Sequence, residues 1–147
     1  MFDITFIQSK IESLREFLGP GAVGLRGRIV LGGYSEEFVA LIGTWGRADY
    51  ERHWREAATR LVAGADRTAF FTSAFETRWT MWRQGDRIVV QEHFLSTSGF
   101  PEPFDPDDLY TYIRDLPADP AERRVSEWMI DIDAVRDFLR RRAGECW

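Results

Sequence analysis

The apolar positions of the chain open at a period of two. Phe2, Ile4 and Phe6 alternate with Asp3 and Thr5 in "FDITFI", the pattern of a half-buried strand. Ser9 followed by Glu12 in "SKIE" is a capping-box signature. Ile11, Leu14, Phe17 and Leu18 continue from it as a helical stripe until "GPG" interrupts, which predicts a short N-terminal helix. Two β-rich runs, residues 26–32 and 36–43, lie either side of a Gly-Gly turn region and predict a hairpin. The period then lengthens. Within "GTWGRADYERHWREAATRLVAG" (43–64), Tyr50, Trp54, Ala57, Ala58, Leu61 and Val62 fall on one face of a 3.6-residue repeat. Gly46 serves as N-cap, Asp49 sits at the positive end of the helix dipole, and Gly64 supplies the stop. His53 lies on the flank of the stripe beside Asp49 and Glu56, a natural place for a half-exposed histidine.

Beyond the long helix, "RTAFFTSAF", "RWTMWRQ" and "DRIVVQEHFL" read as three strands, the last two joined by "QGD", a turn suited to an antiparallel hairpin. Residues 96–124 hold five of the six prolines and predict a long irregular connection, with at most one helical turn near "DDLYTYI". A strand at "VSEWMIDI" and a helix at "DAVRDFLRRR", its arginines at the negative end of the dipole, close the pattern. The pattern predicts one α+β domain over 1–147. It consists of a mostly antiparallel sheet packed against a long central helix, with short N- and C-terminal helices.

Composition sharpens this picture. Hydrophobic residues are 44% of the 147 and aromatics 14%, including six Trp and eleven Phe, which excludes intrinsic disorder and predicts an aromatic-rich core. No apolar run approaches the ~18 residues of a membrane span. The opening "MFDITFIQSK" lacks the features of a signal peptide, so a cytoplasmic protein is expected. A lone Cys146 permits no internal disulfide, in keeping with a reducing compartment. The net charge of −5 is unevenly placed. Residues 1–101 balance 12 acids with 12 bases, whereas residues 102–137 carry 11 acids against four arginines. Such a stretch repels a phosphate backbone and suits a basic protein partner. Its candidate binding residues are Asp105, Asp107, Asp108, Asp115 and Asp119, for steering, with Tyr110 and Tyr112 for contact area. The plainer alternative is a solvated loop with its tyrosines turned inward.

Candidate chemistry is sparse. Glu92 and His93 are neighbours in a predicted strand, so their side chains leave opposite faces and cannot act as a dyad. No HExxH, GxSxG or GxxxxGK spacing occurs, and the glycines at 19–27 lack the strand-then-helix context of a nucleotide fingerprint. Trp45, Trp54, Trp79, Trp82 and Trp128 fall at core-facing positions rather than forming a ligand cage, with Trp147 outside that pattern. Cys146 follows "RRR", but a chain end is a poor place to build a nucleophile. No catalytic residue, metal site or cofactor is expected. The alternative is a small α+β enzyme or ligand-binding domain using a pocket around His53 or His93.

The order of motifs carries more than any one of them. "GGYSEEF", "TWGRADYERHWREAATRL", "TAFFTS", "WRQGDRIVVQEHFL", "FDPDDLYTYI" and "VSEWMIDI", in this order across residues 28–132, resemble a family of immunity proteins from contact-dependent growth inhibition systems. The corresponding positions are Gly32, Glu37, Phe38, Trp45, Asp49, Tyr50, Trp54, Gly85, Asp86, Ile88, Val90, Gln91, His93, Phe104, Pro106, Tyr110, Ser126, Glu127 and Trp128. The chain departs from the family pattern at Gly46, Glu92 and Arg114-Asp115, where Ser, Asn and Pro-Pro are usual, and in the C-terminal "RRRAGECW". The resemblance implies a small cytoplasmic protein that binds and blocks a cognate toxin domain, often a nuclease, and catalyses nothing itself. It also implies that the Asp-Tyr and Trp helix is shared scaffold, and it implies no membrane or nucleic-acid partner.

Overall fold

The computed structural model describes residues 1–73, 77–94, 109–110, 113–123 and 125–143. Strand β3 (Val23–Leu31) is the spine of a first antiparallel sheet. Along one side it pairs over its whole length with β4 (Tyr34–Ile42), and along the other it pairs with β1 (Phe2–Phe6) and, further back, with the two-residue β2 (Glu12–Ser13). The β3–β4 connection is the two residues Gly32-Gly33, and Gly32 takes a left-handed φ of 62° that few side chains tolerate. A second sheet follows the order β5 (Arg67–Ser73), β6 (Thr77–Gln84), β7 (Arg87–Phe94), β8 (Glu127–Asp131), all antiparallel. Gly85, at φ 66°, opens the β6–β7 turn.

The α+β class and the antiparallel pairing follow the hydrophobic pattern, but two expectations are corrected. The strands form two four-stranded sheets, where one was expected. The N-terminal helix shrinks to the single turn α1 (Arg15–Leu18), preceded by Leu14 and not by a Ser9 capping box. The physical reason is competition from β3 for the backbone of residues 7–14. Ile7 N–H donates to Arg26 O, Arg26 N–H donates to Gln8 Oε1, Glu12 lies opposite Gly24, and Leu14 N–H donates to Ala22 O. These bonds leave the segment no freedom to coil.

Helix α2 (Arg47–Val62) begins as its sequence predicts, with Asp49 Oδ2 accepting the Gly46 N–H at 2.9 Å. Of its predicted stripe, Tyr50, Trp54, Ala57, Ala58 and Leu61 are wholly buried and Val62 is partly buried. The Trp54 ring meets Phe6 and Phe38 of the first sheet at centroid distances of 4.9 and 5.8 Å, while its Nε1–H donates to Phe71 O of the second at 2.8 Å. The core sits where the inner faces of both sheets meet α2 and α3 (Ile132–Arg142). There Phe2 contacts Phe70 and Phe138, and Tyr34 stacks on Trp128 at 4.7 Å. Among the described residues no helix is long and apolar enough to cross a membrane.

The arginines ending α3 reach across to β1. Arg141 Nη2 donates to Phe2 O at 2.6 Å, and Arg142 Nη2 meets Asp3 Oδ1 at 2.7 Å with both side chains about 85% shielded from solvent. The last helix therefore clamps the first strand.

Candidate functional site

Alternation sends one set of side chains of the second sheet away from the core, and this outer face carries a continuous polar network. Arg78 and Thr80 of β6 stand beside His93 and Gln91 of β7, with Glu127 of β8 next in register. The chain of hydrogen bonds has one consistent direction. Arg78 Nε–H donates to Thr80 Oγ1 (2.8 Å), the Thr80 hydroxyl to His93 Nδ1 (3.1 Å), His93 Nε2–H to Gln91 Oε1 (3.0 Å), and Gln91 Nε2–H to Glu127 Oε2 (2.8 Å). Arg123 then closes on Glu127 Oε1 at 2.9 Å. In this assignment the imidazole is neutral, with Nδ1 accepting and Nε2–H donating. Burial first, then the nearby charges of Arg78 and Arg114, lower the His93 pKa to about 4. Glu92 leaves the opposite face, as strand geometry demands.

His53 departs from its expected half-exposure, being 4% exposed. Its Nε2 accepts the Phe71 N–H at 3.0 Å, which leaves Nδ1–H facing the Tyr110 hydroxyl at 3.1 Å. Trp45 and Phe71 pack on the ring, and burial lowers its pKa to about 3. The covering residue Tyr110 lies 57 positions away, a contact no helical periodicity announces.

Of the acidic connection, Asp105, Asp107, Asp108 and Tyr112 lie outside the described residues, as do Cys146 and Trp147. Tyr110 is half-buried, with the Arg60 guanidinium 4.1 Å above its ring and its hydroxyl pKa raised chiefly by burial. Ile113 buries itself among Ala69, Phe71 and Trp82. Trp82 Nε1–H donates to Arg114 O, and Arg67 binds both Ile113 O and Asp115, each at 2.7 Å. The Asp115 side chain is otherwise open to solvent, at 91% exposure. Asp119 Oδ1 accepts the Ala121 N–H and caps the short 3-10 turn Pro120–Glu122. The structure thus anchors the described part of the connection on the outer face of the second sheet. Asp115 is presented outward, while Tyr110 and Asp119 are held by internal bonds.

Chemically, each imidazole has both ring nitrogens engaged by the protein itself, and the two histidines belong to different networks. Among the described residues no group of three His, Cys, Asp or Glu is placed to hold a metal ion. Sequence reasoning passed over a pair of carboxylates. Glu36 on β4 and Glu92 on β7 occupy the core-facing parity of their strands and line one groove. The available signal was a carboxylate in step with Tyr34 and Phe38, or with Ile88 and Val90.

The family model of the CdiI N-terminal domain matches residues 40–138, from within β4 to within α3. Among solved structures, the fold is similar to a chain of a "CdiA-CT/CdiI toxin and immunity complex from Enterobacter cloacae". The TM-score is 0.74 at 22% identity, over 96% of this chain and 97% of that one. No curated protein gives a significant match.

Proposed function

Because the chain belongs to the CdiI N-terminal domain family, the immunity-protein family of contact-dependent growth inhibition systems, we propose that it binds a cognate toxin domain and blocks it stoichiometrically. It does so in the cytoplasm, without catalysis or cofactor. The observation that carries this reading is the family match running from the end of β4 through α2 and the second sheet into α3. The internal bonding of His53 and His93 supports it over a histidine-based enzyme, because neither imidazole is left open to exchange a proton with a substrate. A basic toxin, such as a nuclease, suits the acidic balance of residues 102–137.

The docking surface we propose includes the acidic connection, Asp105, Asp107, Asp108, Tyr110, Tyr112, Asp115 and Asp119. Its carboxylates steer the encounter, and the exposure of Asp115 supports its part. Co-expression with the cognate toxin domain tests the function: growth should be restored and a stoichiometric complex should co-purify. Continued toxicity at matched protein level would refute the reading. Reversing Asp105, Asp107 and Asp108 to lysine should leave the melting temperature unchanged and slow association. That slowing should fade as salt shortens the screening length below ~10 Å. Equal association rates for parent and variant at low salt would move the interface elsewhere.

A further inference from the structure

Where β4, the outer strand of the first sheet, passes the end of the second, the two sheets leave a groove of about 280 Å³. Glu36 and Phe38 line it from β4, Thr72 from β5, and Glu92 and Phe94 from β7. Its chemistry is unbalanced. Glu36 and Glu92 both line the groove, Tyr34 O–H donates to Glu36 Oε1 at 3.1 Å, and among the described residues no cation pairs with either carboxylate. The Thr72 hydroxyl, fully buried on the groove wall, has no hydrogen-bond partner, and neither has the buried Trp79 Nε1 on the same face of the sheet. An orphaned buried hydroxyl is uncommon and calls for an explanation. Phe38 and the half-exposed Phe94 supply apolar walls beside the carboxylates.

We propose that this groove receives a basic side chain of the toxin domain, its guanidinium or ammonium head between Glu36 and Glu92 and its aliphatic stem against Phe38 and Phe94. The assignment rests on the immunity reading above and names a second contact, separate from the acidic connection. A cationic head supplies the charge the pair lacks, offers N–H to the Thr72 hydroxyl, and leaves its stem in an apolar slot. The free protein holds a proton on Glu92, which leaves the pair with a single negative charge. Burial, then the hydrogen bond to Glu36 and its charge, hold the Glu92 pKa up to about 8. The groups facing Glu92 are Glu36 and Tyr34 from β4. Tyr34 stays protonated because burial and the same two carboxylates raise its pKa, and β6 presents Trp79. Entry of the cation releases the Glu92 proton to solvent, so binding tightens as pH rises toward 8.

The test measures Kd for the full chain and its cognate toxin domain, at pH 6.5 and 7.5. For the parent, Kd should fall about tenfold over that unit, one proton being released. The Glu36→Gln/Glu92→Gln variant keeps the shape of the pair while removing its charge, and its melting temperature should not fall. At pH 7.5 it should bind at least about tenfold more weakly, with the pH dependence gone. Retained affinity or a retained pH slope in that variant overturns the groove assignment while leaving the immunity reading intact. Failure of the parent itself to bind the toxin domain overturns both, and the two failures are thereby told apart.

Discussion

Trp54 is the residue on which the two sheets depend together, because its ring fills space against Phe6 and Phe38 while its N–H satisfies a carbonyl of β5. Trp54→Ala should destabilise the protein by about 3–5 kcal/mol through the cavity alone. Trp54→Phe should lose about 1–3 kcal/mol, through loss of the indole N–H bond to the Phe71 carbonyl. Urea midpoints distinguish the two, and an unchanged Trp54→Ala midpoint would contradict the packing. His53 adds a pH signature. Its folded pKa of about 3 lies below the unfolded value of 6.5, so the unfolded chain binds the extra proton. The neutral imidazole's contribution is therefore present above pH 6.5 and is lost as pH falls from 6.5 toward 3, about 2 kcal/mol by pH 5. His53→Gln should lose less stability than the parent between pH 7 and 5. Equal losses would mean that the buried ring is charged. At this scale the sequence is legible for Trp54, whose place on the helical stripe is local. It is not legible for His53, whose burial depends on Tyr110 and Phe71 arriving from elsewhere in the chain.

Elements are legible where their cause is local. Both two-residue hairpins are announced by glycine, and the outline of α2 by spacing and by Asp49. The N-terminal helix fails because a valid capping signature is outcompeted by backbone pairing with β3, which alternation at residues 2–6 cannot reveal. The division into two sheets is equally hidden, since an inward-facing alternation looks the same whether its partners belong to one sheet or two. β3 carries a further constraint. A Cβ at Gly27 would stand 2.4 Å from the Phe38 ring, directly opposite in the ladder, and 2.9 Å from Thr5 O. Gly27→Ala should therefore destabilise by about 1–3 kcal/mol, because the ring must leave its place against Trp54. Combining it with Phe38→Leu should recover part of that loss in thermal melts, and strictly additive losses would show that the ring is not the obstacle.

For the whole molecule, charge counting along the chain exposes the acidic stretch but not the sites where carboxylates meet. Glu36 and Glu92 come from different sheets, and only the tertiary structure brings them to one groove. The clamp of α3 on β1 is likewise long-range, since Arg141 and Arg142 bond to residues 139 positions earlier. Arg142→Ala leaves the shielded Asp3 carboxylate only its longer contact with Arg141, at 3.7 Å, and should destabilise by on the order of 3 kcal/mol. Asp3→Asn/Arg142→Gln should lose less, and differential scanning calorimetry on both would separate charge from packing.

That same clamp sets a timetable. During synthesis the first strand leaves the ribosome long before the helix that fastens it exists, so the fold closes only once residue 142 has been made and released. Contacts spanning so much of the chain are slow to form, and every copy passes through an interval with Phe2 and its neighbours uncovered. For an inhibitor of the kind proposed above, a cell under attack is defended by the finished molecules it already holds, and nascent chains add nothing until their last helix is home.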